Sequence, residues 1–221
     1  MVADRDFYET AYHFDEDVLD VDEHRMARAL DLLEPLDHTT FLDLGSGVGW
    51  AARFALRRGA AATVGLDFAI RALLLGQRTI PEVSRVQGDG CRLPFRTGSI
   101  DRLLSFGSLE HFPDVSEGLR EIARVLGRDG RAVVVVPNFY VRTEQPRELR
   151  LSQARWTRLI DDAGLRVAIV RADFGPPVLR DRRPARMVFR AAAKVLGFVP
   201  GMQYQFIFAL VPAQQTANSP I

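Results

Sequence analysis

Hydrophobic residues along the chain fall into short apolar runs separated by stretches in which apolar positions recur every three or four residues. The first kind of pattern marks buried strands and the second marks helices lying on them. Their alternation predicts a strand at 40–44, a helix at 49–58 closed by Gly59, a strand at 62–66, a helix at 69–79 stopped before Pro81, and a strand at 83–87. It continues with a strand at 100–105, a helix at 115–126, a turn from Gly127 to Gly130 and a strand at 131–136. Upstream, Met26, Ala29, Leu30 and Leu33 share a helical face within Asp22 to Leu33, which Pro35 ends, so this helix is expected to pack on the sheet. Beyond Pro137 the pattern gives a helix at 152–163 ending at Gly164, a strand at 166–173 and a last strand in Y-Q-F-I-F-A-L-V at 204–211. Strands and helices in this rhythm mean an α/β fold: a doubly wound, mostly parallel, seven-stranded sheet with helices on both faces. Its ligand site is then expected at the carboxyl ends of the strands.

The segment F-L-D-L-G-S-G-V-G-W at 41–50 runs from a strand through a glycine loop into a helix. Gly45, Gly47 and Gly49 allow a sharp turn and a close approach of backbone to ligand. Dinucleotide sites usually want glycine at positions one, three and six of this loop, where a helix N-terminus meets a pyrophosphate; the sixth position here is Trp50. Acids follow at the ends of the next strands, Asp67 about twenty residues on and then Asp89, where a nucleoside ligand would need acceptors.

Composition narrows the class. The 221 residues are 47% hydrophobic and 26% charged, which is a globular composition long enough for a full core. One domain is expected over 1–221: N-terminal helices or a lid at 1–38, a ligand-binding core at 39–138, a second half at 139–211, and a flexible tail at 212–221. A net charge of +1 gives no general attraction to nucleic acid, and DNA is not expected as a partner. The single Cys91 excludes an internal disulfide and a cysteine metal cluster, and no metal site is expected. The absence of a signal-like N-terminus and of any long apolar run leads to the expectation of a cytoplasmic protein.

Five stretches, in order and spacing, resemble the class I S-adenosylmethionine-dependent methyltransferases, and most closely their small-molecule (type 11) subgroup. They are L-D-L-G-S-G-V-G at 42–49, V-G-L-D at 64–67, G-D-G-C-R-L-P-F at 88–95, D-R-L-L-S-F-G-S-L-E-H-F at 101–112 and E-I-A-R-V-L-G-R-D-G at 121–130. The resemblance implies S-adenosyl-L-methionine as cofactor. It places Gly45 and Gly47 against the methionine and ribose portion, Asp43 toward the amino group, directly or through water, and Asp67 at the ribose, with Gly49 and Phe68 also among the cofactor-binding residues. Asp89 and Gly90 fall at the adenine, and Phe106 at the end of the fourth strand also lines the cofactor site. It implies SN2 methyl transfer to a small organic acceptor, oxygen being favoured over carbon or nitrogen, and the apolar, aromatic and basic periphery of the chain suggests that this acceptor is hydrophobic. His111 is the candidate general base, beside a reading in which it is only structural; Tyr8, Tyr12 and His13 are second choices. Glu110 is read as orienting the loop or approaching the cofactor amine. The Pro-Pro-aromatic turn of amine methyltransferases and the strand-end aspartate of the metal-assisted catechol type are both absent from Ser105 to Phe112. Ala69 and the Arg128-Asp129-Gly130 turn depart from common family residues without touching the cofactor roles.

The periphery is open to more than one reading. Phe7, Tyr8, Tyr12 and Phe14 form either a staple on the core or a lid, and Asn138, Phe139, Tyr140 and Trp156 either line the acceptor pocket or pack structurally. The insertion at 175–203 contains R-R-P-A-R-M-V-F-R-A-A-A-K-V-L-G-F, a basic amphipathic helix. It either covers the sheet or contacts an apolar substrate or anionic lipid through 180–198. Rival functions are an RNA methyltransferase, a catalytically silent cofactor-binding partner subunit, and a nucleotide-dependent oxidoreductase. Oligomeric state is not legible.

Overall fold

The structure, a computed structural model, describes residues 22–141, 148–174 and 202–213, together with positions 188, 191, 192, 195 and 199. The N-terminal aromatic segment with Tyr8, Tyr12 and His13, most of the 175–203 insertion and nearly all of the tail lie outside the described residues.

The elements are α1 (Glu23–Leu30), a 3-10 turn (Asp31–Leu33), β1 (Thr40–Leu44), α2 (Trp50–Arg57), β2 (Ala62–Asp67), α3 (Ile70–Thr79), β3 (Ser84–Gln87) and β4 (Ile100–Phe106). After a 3-10 turn (Leu109–His111) come α4 (Val115–Val125), β5 (Leu126–Pro137), α5 (Gln153–Asp162), β6 (Leu165–Asp173) and β7 (Gln205–Pro212). The seven strands form one sheet in the order β3-β2-β1-β4-β5-β7-β6. All pairs are parallel except the two made by β7, which runs antiparallel to both β5 and β6. The strand order reverses between β1 and β4, which opens the crevice at their carboxyl ends where such folds take their ligands.

The strands are nearly continuous in hydrophobicity because both faces are covered. Side chains alternate across the sheet. Leu103, Val134, Val136, Phe206 and Phe208 enter the cluster under α4 and α5, while Leu104, Val133, Val135, Ile207 and Ala209 enter the one under α1 and α2. The helix expected over 22–33 is present, but its last turn tightens to 3-10. Asp22 caps α1 by accepting from the Arg25 N–H at 3.2 Å. The expected turn at Gly127 to Gly130 lies inside β5, which starts at Leu126 and shifts register against β4 between Ile100 and Arg102. Apolar patterning shows where a strand is buried, and a bulged stretch with two exposed residues gives no such signal.

Candidate active site

The glycine loop closes over the end of β2. The Gly45 and Ser46 N–H groups both donate to the Leu66 carbonyl, at 2.8 and 3.0 Å, and the Gly47 N–H donates to Asp67 Oδ2 at 2.8 Å. Gly45, Gly47 and Gly49 have φ of 73, 53 and 96°, the left-handed region that glycine adopts without penalty. Their surroundings differ. A Cβ on Gly45 would fall 1.7 Å from Ser108 Oγ, one on Gly49 would touch Val83 and Arg85 at 3.5 Å, and one on Gly47 would meet nothing within 4 Å. Gly45 thus permits contact with the turn after β4, Gly49 starts α2, and Gly47 borders open space. Beneath the loop the Arg85 guanidinium donates to Val48, Gly76, Ile80 and Val83 carbonyls and buttresses it from below.

Two carboxylates frame that open space. Asp43, at the end of β1, is 3% exposed and accepts from the Ala52 N–H at 3.1 Å. Burial, with the charge of Asp67 adding to it, pushes the Asp43 carboxyl up to about 7. A group in this state has lost water and binds a cation avidly once one arrives, which fits the ammonium of an amino-acid moiety. Asp67 accepts from Gly47 N–H through one oxygen and from Ala69 N–H through the other, at 2.8 and 2.9 Å. The alternatives of helix start and ligand acceptor therefore do not exclude each other: a carboxylate has about four acceptor sites, so two N–H bonds and a vicinal diol are compatible. The open Gly47, the cation-seeking Asp43 and the clamped Asp67 fit the amino acid and ribose parts of S-adenosylmethionine.

The remaining expected contacts are placed as follows. Phe68, next to Asp67, is half-buried, and its carbonyl accepts from Gln87 Nε2 at 3.0 Å. Asp89 is exposed and folds back on its own loop, accepting from the Cys91 N–H at 2.8 Å, while the Cys91 thiol donates to the Asp114 carbonyl at 3.3 Å. Burial raises the thiol above its usual range, as suits a bystander. Gly90 is buried against Phe112, whose ring lies 2.2 Å from where a Cβ would stand. Its small size therefore seats that ring, and only its backbone is available to a ligand. Phe106 turns its ring toward α1, beneath the Arg25 guanidinium at 5.1 Å from the ring centroid.

That arginine was not singled out from sequence. Arg25 Nε donates to both Asp173 oxygens at 3.0 and 3.1 Å, and Arg25 Nη2 bonds Asp173 Oδ2 and, at 2.6 Å, Gln205 Oε1. Asp173 is 1% exposed, so this pair joins α1 to the carboxyl end of the sheet through a buried charge. Trp156 is fully buried and donates to the Pro137 carbonyl at 3.0 Å, which makes it core and not pocket. Asn138 is also buried, with its amide bonded to Gln203 and Phe139 backbone, whereas the neighbouring Phe139 ring is 55% exposed.

After β4 the chain makes the 3-10 turn that carries Leu109, Glu110 and His111. Ser108, just before it, meets the glycine loop, and Glu110 and Phe112 line a cavity of about 810 Å³ bounded by Val115, Leu149, Arg155 and Leu159. The Leu149 N–H donates to the Glu110 carbonyl at 2.8 Å, which brings Glu148 to the turn. Carboxylate oxygens of Glu110 and Glu148 and a ring nitrogen of His111 lie within 4.8 Å of one another. Glu110 is 2% exposed, and burial, with Glu148 adding to it, pushes its carboxyl up to about 8. Glu148 had no signal in the sequence; its stretch, R-T-E-Q-P-R-E-L, reads as polar loop.

Residues 42–134 match the family model described as a methyltransferase domain. Among curated proteins, a demethylmenaquinone methyltransferase of Corynebacterium kroppenstedtii is 39% identical over 115 residues, covering 48% of this chain and 48% of the relative. A 2-methyl-6-phytyl-1,4-hydroquinone methyltransferase of Arabidopsis thaliana is 34% identical over 116 residues, covering 49% of this chain and 34% of the relative. The chain spans about half or less of the length of these relatives. A methyltransferase solved in complex with the Trm112 methyltransferase activator of Haloferax volcanii aligns at TM-score 0.75 and 23% identity, over 97% of this chain and 100% of that one. The last likeness is one of fold.

Proposed function

We propose that the protein, whose residues 42–134 match a methyltransferase domain, is a class I S-adenosylmethionine-dependent methyltransferase that acts on a small hydrophobic acceptor of the quinol type. The observation that carries the reading is the contact between the two halves of the site: Ser108 of the acceptor-side turn occupies the space a side chain on Gly45 would need. The cofactor, when bound, supplies a methyl group on a sulfonium, already a strong electrophile. The chain therefore has to hold and align the partners and exclude water. Asp43 and Asp67 hold the amino acid and ribose ends. The Glu110, His111 and Glu148 group, carried by the turn that follows Ser108 and by the segment bonded to it, is assigned to the acceptor hydroxyl. Loss of that hydroxyl's proton raises nucleophilicity at the oxygen and at the ring carbon beside it. The same group thus serves methylation at either atom.

Two features support a lipophilic acceptor. The named relatives act on a demethylmenaquinone and a phytyl hydroquinone. Within the basic insertion, Val188 and Val195, seven residues apart in a sequence rich in arginine, are 70% and 71% exposed. No helix among the described residues is long and apolar enough to cross a membrane. Incubation with methyl-labelled cofactor and reduced quinones of varied tail length, followed by mass and NMR analysis of the product, tests the proposal. Label is expected in the quinol, and its position distinguishes oxygen from carbon; label appearing only in tRNA or rRNA would transfer the function to the RNA reading. Co-sedimentation with anionic vesicles, compared with a Val188→Glu/Val195→Glu variant, tests lipid contact at these residues. Equal sedimentation of the two proteins would remove it.

A further inference from the structure

We propose that Glu110, His111 and Glu148 form a binding site for one divalent first-row transition-metal ion, at the end of the acceptor cavity. This deepens the reading of the same site as a methyltransferase acceptor pocket and rests on it for the role of the ion, though not for the ion's binding.

The first support is the donor set. One nitrogen and two carboxylate oxygens from a turn and a neighbouring segment converge within 4.8 Å. Donors bound to a common ion at about 2.1 Å stand no more than about 4.2 Å apart, so the side chains need to close by less than about 1 Å. The backbone bond from Leu149 N–H to the Glu110 carbonyl holds the two carrying segments together and leaves only side-chain torsions to adjust.

The second support is independent of the clustering. Glu110 Oε2 is buried with no hydrogen-bond partner among the described residues, and the residue is 2% exposed. A carboxylate oxygen in that state forfeits its hydration without compensation unless something occupies the space before it. The Glu148 side chain beside it is 5% exposed, with Arg150 Nε at 3.9 Å. A multivalent cation shared with Glu148 would displace the Glu110 proton to solvent and fill that space.

The donor types select the ion. An imidazole with two carboxylates suits zinc, manganese, iron or cobalt; magnesium, which demands an octahedron of oxygens, is a poor match. Three protein donors leave coordination positions unfilled, and the cavity on that side can admit a hydroxyl oxygen. A quinol oxygen bound there loses its proton more readily, the proton passing to solvent.

The test uses the untagged full chain stripped with chelator. Zn2+ and Mn2+ are titrated by calorimetry and, for Mn2+, by loss of the free-ion electron paramagnetic signal, with Mg2+ as control. One ion per chain is expected, Zn2+ the tighter, with Glu148→Gln and His111→Ala each weakening binding by more than about tenfold while circular dichroism is unchanged. No saturable binding, or binding that neither variant alters, overturns the site. The two claims fail separately. Methyl transfer that proceeds undiminished in excess chelator overturns the ion's role in the reaction and spares the methyltransferase. One bound ion with no transfer to any quinol does the reverse.

Discussion

Asp43 gives the account its most quantitative consequence. In the free protein its carboxyl sits near 7, against an ordinary value of 3.8, because burial removes its water and Asp67 adds negative charge. Placing an ammonium beside it favours the charged form and returns its pKa toward or below the ordinary value, so cofactor binding expels a proton wherever the free protein holds one. The sign follows directly. Above pH 7 Asp43 is already charged and affinity is flat; below it, affinity falls about tenfold per pH unit. Between pH 8 and pH 5 this amounts to about 100-fold, or ~2.7 kcal/mol. Calorimetric titration of S-adenosylhomocysteine over that range, in buffers of differing ionisation enthalpy, measures both the affinity and the proton released. Asp43→Asn should bind weakly and with little pH dependence. The same shift carries a stability cost in the free protein: it is absent below the unfolded value, grows as pH rises from 3.8 and is complete above 7, at about 4 kcal/mol. Relative to wild type, the free Asn variant should therefore gain thermal stability from pH 5 to pH 8 even as it loses cofactor. Wild-type affinity constant within threefold across the range would refute the placement of the amino group at Asp43.

Other consequences can be checked separately. Gly45→Ala forces a Cβ onto Ser108 at positive φ and should cost ~3 kcal/mol of stability, whereas Gly47→Ala has open space, should cost about 1 kcal/mol and should act mainly on cofactor affinity; paired melting and binding curves separate them. Arg25→Met strands the buried Asp173 carboxylate and should cost ~3 to 5 kcal/mol in urea unfolding, with part recovered when Asp173→Asn is added; equal loss in single and double variants would contradict the pairing.

How much was legible follows from how local each feature is. The sheet was readable because every central strand is buried on both faces, so that A-V-V-V-V and F-I-F-A-L stand out as unbroken apolar runs. The glycine loop and Asp67 were readable because the loop, β2 and its terminal acid lie within one βαβ unit, where spacing in sequence is spacing in space. Features made by distant segments were not. Arg25 and Asp173 are 148 residues apart, and nothing in α1 distinguishes that arginine from one in solvent. Glu148 meets Glu110 only through a backbone bond between two irregular segments, and Ser108 meets Gly45 only because β4 lies beside β1. For Trp156 the sequence left pocket wall and core both open, and its hydrogen bond to the Pro137 carbonyl, a contact between distant segments, decides for the core.

The central claim is that the β1 loop and the β2 acid together bind S-adenosylmethionine. Calorimetric titration of S-adenosylmethionine and S-adenosylhomocysteine on wild type and Asp67→Ala tests it most directly. Micromolar binding by wild type is expected, with a loss of roughly 2 to 3 kcal/mol, on the order of 30- to 150-fold, in the variant. Absence of heat with either ligand, or equal affinity in the two proteins, would contradict it.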